Sequence, residues 1–527
     1  MYTASRSRLT GLAMALACVP LPGAWAASLY SGNGLEIRWD NTLRYTAGIR
    51  LAARDPVLLS LPNSDDGNRA FAPGPMSNRL DLVSVLNIAS GEFGLQAGIA
   101  AWYDTVYQRR TDNRSATNFN AVSVPPDRFT SATRKLNGQY ADLGETFIYG
   151  NFLLEGMPVS FRAGRQTLLW GESLFFAQNG IAAAMAPVDV IKTLGTPDGY
   201  SSNAFLPVGQ VSLTVQPHAG LSLSAYYQLE GRATRLPGVG SYFSDRDVLG
   251  TGAERALLPG GQFLTHGRDQ RQPAGGQFGV ALHVMLDETD IGLYALHANA
   301  RYPVLTVYDL PPAPLVSGYA GQFRSVYSRD IEFYGLSFST YAGGVTLAGE
   351  ISARRNMPLL GFPPVTQYAF GPLRILPGNG YTQGDTLHAQ FSSIATLSRA
   401  ALWDSADVSM EIAANQVLAI TSNAAAFWTG RNDWAAASAR ALFKPRYFEL
   451  LPNLDGALVF GLGYNLAGRS SVDYTQNAAT GDFELGLSAT FLSVWKADLT
   501  LTSFFGAPNR QTLADRDYLM LRLEHTL

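Results

Sequence analysis

Residues 518–527 read Tyr-Leu-Met-Leu-Arg-Leu-Glu-His-Thr-Leu. Leu519, Leu521, Leu523, His525 and Leu527 fall on one row, and Tyr518, Met520, Arg522, Glu524 and Thr526 on the other. Successive side chains of a strand point to opposite faces, so the segment predicts a strand with one largely apolar and one largely polar face. The same period recurs upstream. In Gln210–Gln216, Val211, Leu213 and Val215 oppose Ser212 and Thr214, and in Asp407–Asn415, Val408, Met410 and Ile412 oppose Asp407, Ser409, Glu411 and Asn415. Leu221–Glu230 and Phe483–Phe491 repeat it.

Further candidates begin near Asn41, Arg79, Phe93, Gln139, Pro158, Gly276, Asp290, Asp330, Val345, Thr386, Trp434, Gly456, Lys496 and Tyr518, about eighteen in all. The weakest is Trp434–Lys444, followed by an unusually long inner link through Pro445–Asp455; losing such segments in pairs leaves sixteen or fourteen. Short links (Ser90-Gly91-Glu92, Pro217–Gly220, Asp287-Glu288-Thr289, Ala342-Gly343-Gly344, Ser493-Val494) alternate with long ones such as Ala52–Asn78, Asp104–Gly138, Gly171–Leu206 and Gly231–Gly275. Such alternation places all long loops at one end. It predicts an all-β fold, a single transmembrane antiparallel barrel of the outer-membrane type with long extracellular loops, rather than a tandem of β-sandwiches. Leu29–Asp40 is either a short segment before the first strand or part of an unusually long one.

Composition agrees. Charged residues make up only 15% of the 527, mean hydropathy is +0.01, and glycine (52), phenylalanine (27) and tyrosine (24) are abundant. Beyond the N-terminus no apolar run reaches the roughly 18 residues of a spanning helix. Residues 1–26 read as a secretory leader, with Arg6 and Arg8, an apolar Leu9–Leu21 stretch and Ala24-Trp25-Ala26 as cleavage site, leaving 27–527 as the barrel. Cleavage there removes Cys18, the sole cysteine, and with it disulfide and thiolate chemistry. It also leaves 37 basic against 42 acidic side chains, a formal charge of −5 that speaks against a nucleic-acid partner. The final strand resembles the C-terminal assembly signal of outer-membrane barrels, with Leu527 in place of the usual aromatic residue.

Catalytic patterns are missing. His218, His266, His283, His297, His388 and His525 lack metal-ligand spacing, although His283 and His297 lie on neighbouring strands and could approach each other. Neither a G-x-S-x-G elbow nor a phosphate-binding loop occurs, so the expectation is a non-enzyme without cofactor or catalytic metal. Asn63-Ser64-Asp65-Asp66-Gly67-Asn68 is rich in oxygen ligands; it fits either calcium or ordinary turn chemistry. The long loop opened by Gly164-Arg165-Gln166 and Trp170-Gly171-Glu172 carries Phe175, Phe176 and an apolar Ile181–Ala186 run before Pro187-Val188-Asp189 and the polar Asp198–Asn203. It is too apolar for a solvated link and fits either a segment folded into the barrel as a constriction or a loop packed at the rim without substrate contact. Arg165, Trp170, Glu172, Phe175, Phe176 and Asp189 are its candidate gate residues, with Gly171 as the inward turn and Arg165 as a charged partner for Glu172. Leu236–Gly240 with Tyr242-Phe243, Val304–Val316 and Met357–Pro364 are apolar and Pro-rich, fitting either capture of apolar ligands or packing among the loops.

Asn63–Asn68, Ser77-Asn78-Arg79-Leu80, Gly164-Arg165-Gln166, Trp170-Gly171-Glu172-Ser173, Asn179-Gly180-Ile181, Ala186-Pro187-Val188-Asp189, Tyr226–Glu230 and Tyr242-Phe243-Ser244 together resemble the outer-membrane β-barrel family catalogued as domain of unknown function 1302. The resemblance implies a barrel in the outer membrane of a Gram-negative bacterium, in contact with its lipids. It implies one that captures or passes a hydrophobic small molecule or lipid with a periplasmic lipoprotein-like partner and an inner-membrane RND-type transporter; one branch resembles alkane-uptake proteins. A general or substrate-specific porin for polar solutes is the alternative.

Overall fold

The computed structural model describes residues 27–115, 120–195, 204–311, 318–360, 375–427 and 432–527. The leader, Asp198–Asn203, and parts of the Val304–Val316 and Met357–Pro364 stretches lie outside them. Twenty-three strands are present among the described residues. In chain order the first twelve are β1 (Ala27–Gly32), β2 (Leu35–Arg50), β3 (Gly74–Ser90), β4 (Phe93–Asp104), β5 (Gln139–Leu154), β6 (Met157–Gln166), β7 (Val208–His218), β8 (Leu221–Gln228), β9 (Arg255–Leu257), β10 (Phe263–His266), β11 (Gln277–Leu286) and β12 (Thr289–Ala298). The rest are β13 (Val304–Tyr308), β14 (Tyr319–Val326), β15 (Ile331–Ala342), β16 (Val345–Pro358), β17 (Gln383–Leu397), β18 (Ser405–Ser422), β19 (Ala435–Leu451), β20 (Leu454–Ala467), β21 (Gly481–Phe491), β22 (Trp495–Phe505) and β23 (Tyr518–Thr526).

Eighteen of them form one closed antiparallel barrel. It closes where β2 pairs β23, from Thr42 opposite Thr526 to Arg50 opposite Tyr518. The last strand is assigned to Thr526, yet Leu527 still exchanges both backbone hydrogen bonds with Asn41, at 2.7 and 3.0 Å. Each of the eighteen candidate segments begins in, or within one residue of, a barrel strand. The outer rows carry exposed Val211, Leu213, Phe483, Leu485 and Leu487, and Leu521 and Leu523 continue the belt. An even-stranded closed barrel leaves no unpaired edge in hydrocarbon, and with this belt it is a protein of the Gram-negative outer membrane, its long loops extracellular.

Three details differ from the sequence-based expectation. Pro445–Asp455 is not a long link: β19 runs through Pro445 to Leu451 and turns at Pro452-Asn453, with a bulge between Tyr447 and Leu451 that hides the period. Leu29–Asp40 divides between the two readings: β2, the first barrel strand, is long, and Ala27–Gly32 folds back on its periplasmic end through Asn33-Gly34, both at positive φ as a tight hairpin requires. The loops after β8 and β12 also build their own four-stranded sheet, β13-β14-β10-β9, in which β10 and β14 run parallel. Its apolar side buries Val248, Leu264, Val307 and Phe323. Elsewhere in the cap, Phe71, Tyr107, Phe129 and Tyr242 cluster together, and Leu359 packs with Val417 and Phe427. The described apolar loop residues are therefore largely spent on packing against one another and the inner wall.

Candidate functional site

The segment between β6 and β7 does not stay at the rim. At Gly171 the backbone takes φ +88°, a conformation open to glycine at little cost, and the chain crosses the lumen to the wall of β16, β17 and β18. There the inward polar rows of those strands hold it by its backbone. Glu411 accepts hydrogen bonds from the amides of Leu174, Phe175 and Phe176 at 3.0, 2.5 and 2.8 Å. Glu350 accepts from Glu172 and Ile181 at 2.7 and 2.8 Å. Arg354, itself buried, donates to the carbonyls of Gln178, Asn179 and Gly180. The Asn179 amide reaches the carbonyls of Ala389 and Ala414, and its side-chain oxygen meets His388 at 3.0 Å.

The other side of the segment is dry. Trp170, Ile181, Ala184 and Met185 pack with Tyr226 of β8, Ala281 of β11, Tyr294 of β12 and Phe333 of β15. Trp170 meets Tyr226 edge-on, with ring centres 5.1 Å apart. Ile181 lies against Gly335, where an added Cβ would come within 2.6 Å of its Cδ1, so the absence of a side chain lets the loop seat on the wall.

Of the six candidate residues, Trp170, Glu172, Phe175 and Phe176 belong to this crossing. Phe175 also lies 5.9 Å beneath the Arg440 guanidinium. The Glu172 carboxyl is pushed up to about 7, chiefly by burial and then by the nearby Glu350 and Asp290. Arg165 is not its partner: it pairs with Glu230 at the end of β8. Asp189 stands apart, buried where the segment returns to the rim, and takes Arg235 at 2.6 Å, while Arg235 and Arg232 also share Asp142. Glu350, Arg354, His388, Glu411 and Asn415 were not among the candidates. The signal was present in the polar rows of β16–β18, and Glu411 and Asn415 fell on the row opposite the apolar one, but nothing local says what they would hold. His283 and His297 do not meet: His283 faces inward to Asp290 and Tyr294, while His297 stacks on outward Phe278.

Across the lumen from this plug, the wall of β22, β23, β2, β3 and β4 carries two rows set by strand pairing. Asp498, Arg522, Thr46, Arg79 and Asp104 are successive neighbours in one; Lys496, Glu524, Arg44, Asp81 and Trp102 follow in the next. Arg44 binds Glu524 at 2.6 Å and Arg79 binds Asp81 at 2.5 Å. A cavity of about 80 Å³ lies between this wall and the returning loop, lined by Arg44, Arg79, Asp81, Asp104, Lys192 and Arg522 and roofed in part by Tyr242 and Phe243.

No curated protein matches this chain in sequence. Among solved structures the chain is similar to OccAB4 of Acinetobacter baumannii (8% identity, TM-score 0.44, covering 93% of this chain and 98% of that one). It is also similar to OccD3 (OpdP) of Pseudomonas aeruginosa (14%, 0.41, 95% and 93%) and to the outer membrane channel DcaP of Acinetobacter baumannii (9%, 0.39, 95% and 100%). The model of the family described as protein of unknown function DUF1302 matches residues 8–527, and the chain belongs to that family.

Proposed function

We propose that the barrel is a constricted, selective channel for small polar solutes, with the 167–195 stretch as its constriction. The observation that carries this is the two rows of mixed charge along β22–β4, of which Arg44, Arg79, Asp81, Asp104 and Arg522 face the cavity while the loop fills the other half of the lumen. Alternating fixed charges replace part of the hydration shell of a polar or zwitterionic solute and offer an apolar one nothing. Proteoliposomes containing the purified barrel should swell in small zwitterions and carboxylates faster than in uncharged sugars of equal size. Equal rates for all of them, or none above protein-free vesicles, would overturn the assignment.

One feature favours an apolar cargo instead. On the lipid-facing side of β11, β12, β15 and β16, exposed Val280, Leu293, Leu336 and Ile351 border a furrow floored by Ala281, Tyr294 and Gly335, behind which the loop's Ile181 is seated. A hydrophobic molecule or lipid entering there would need an acceptor below, since apolar compounds cross water poorly. This agrees with the periplasmic lipoprotein-like partner and RND-type transporter that the family resemblance implies. Photo-crosslinkers at the turns Ala219-Gly220 and Gly343-Gly344 would trap such a partner in intact cells; repeated recovery of the barrel alone counts against it.

A further inference from the structure

A second cluster of chemistry lies in the extracellular cap, away from the lumen loop. The turn Asn63–Asn68 is clamped against residues 241–247 of the loop after β8. The Asp247 amide donates to the Asn63 carbonyl at 2.8 Å. At Gly67 an added Cβ would stand 2.6 Å from the carbonyl oxygens of both Ser241 and Ser244, so the two backbones touch. This approach brings together carboxylates from two loops: oxygens of Asp65, Asp66 and Asp247 all lie within 4.8 Å of one another.

Asp247 is fully buried, at 0% exposure. One of its oxygens accepts from the Asp66 amide at 3.1 Å; the other, Oδ1, has no hydrogen-bond partner. Against three carboxylates stands Arg69, bound to Asp65 at 2.6 Å, and Glu254 adds further negative charge nearby. A buried anion without a partner is costly, and like charges side by side are more so. A hard cation meets the same need with the ligands at hand, all of them oxygen. Calcium holds oxygens at about 2.4 Å, so the oxygens around one ion lie no more than about 4.8 Å apart, a condition this cluster meets.

We propose that Asp65, Asp66 and Asp247 bind one calcium ion that staples the first extracellular loop to the loop after β8. Tyr242 and Phe243, which roof the lumen cavity, lie four or five residues before Asp247, so the ion fixes the roof as well as the cap. The test uses the full barrel in detergent, stripped with EDTA and titrated calorimetrically with calcium chloride, with magnesium chloride as the comparison. The expected result is saturable binding of one calcium per chain, weaker binding of magnesium, and at least a tenfold loss of calcium affinity in Asp247→Asn and in Asp66→Asn. Heat-modifiable migration on gels establishes that each variant is an assembled barrel. The proposal is overturned if the intact protein shows no saturable calcium binding up to millimolar concentration. It is also overturned if both variants bind as the intact protein does, or if Asp247→Asn melts higher while calcium leaves the intact protein's melting unchanged, the mark of carboxylates that share protons instead.

Discussion

The two sides of the lumen segment are held by different physics. Toward β8–β15 it is packed: Trp170, Ile181 and Met185 lie in a dry cluster with Tyr226, Tyr294 and Phe333. Toward β16–β18 it is pinned: two carboxylates accept five backbone amides, and Arg354 takes three carbonyls. Apolar packing is non-directional and fixes where the loop lies. Directed charge-assisted bonds fix its backbone course and depend on single side chains. The lumen is therefore expected to open by loss of pins more readily than by loss of packing.

The largest effect on conductance is expected from Glu411→Ala, which leaves three amides without an acceptor at about 1–3 kcal/mol for each buried donor. Single-channel conductance in planar bilayers should rise several-fold, and amide exchange at Leu174–Phe176 should accelerate. An unchanged conductance would show that the packed side alone holds the loop. Gly171→Ala comes next. It forces a side chain into a left-handed conformation at about 1–2 kcal/mol and pushes its Cβ against Glu350, so conductance should rise, but less than with Glu411→Ala.

Ile181→Ala separates stability from gating. A cavity at this fully buried position costs about 2–5 kcal/mol, and the melting temperature in detergent should fall. Conductance should stay near that of the intact protein because the pins remain. If it opens the channel as far as Glu411→Ala does, the contrast between the two sides fails.

The smallest expected effect is that of pH through Glu172. Its carboxyl is raised in the docked loop, from 4.5 to about 7, so the docked state binds the proton more tightly than the released one. Docking is then favoured most below pH 4.5, and that advantage is lost as pH rises toward 7. Conductance should climb modestly across this window and level off above it, and Glu172→Gln should flatten the profile. A rise of the opposite sign would contradict the environment assigned to Glu172.

The barrel was legible in the sequence because its two-residue period is local: Val211, Leu213 and Val215 announce their face within one strand. The bulge after Tyr447 broke that period, and the second half of β19, from Pro445 on, looked like a long link. The cap sheet was illegible for another reason. β10 and β14 are short, and their pairing joins Phe263 to Tyr319 across residues that carry no local trace of it. At the site, the loop's apolar content and Gly171 were visible from the start. Its anchors were not, since Glu350 and Glu411 read only as inward polar residues until the fold sets them opposite Ile181 and Phe175.

Removal of Phe175–Ala186 tests the central claim most directly, because it takes away both the pinned and the packed stretch while leaving every barrel strand intact. The purified variant should still assemble as a heat-modifiable barrel, and its single-channel conductance in planar bilayers should exceed that of the intact protein several-fold, with the charge preference of the β22–β4 wall retained. A correctly assembled variant with the conductance of the intact protein would contradict the account: the segment would then be packing at the wall, and the constriction would lie elsewhere.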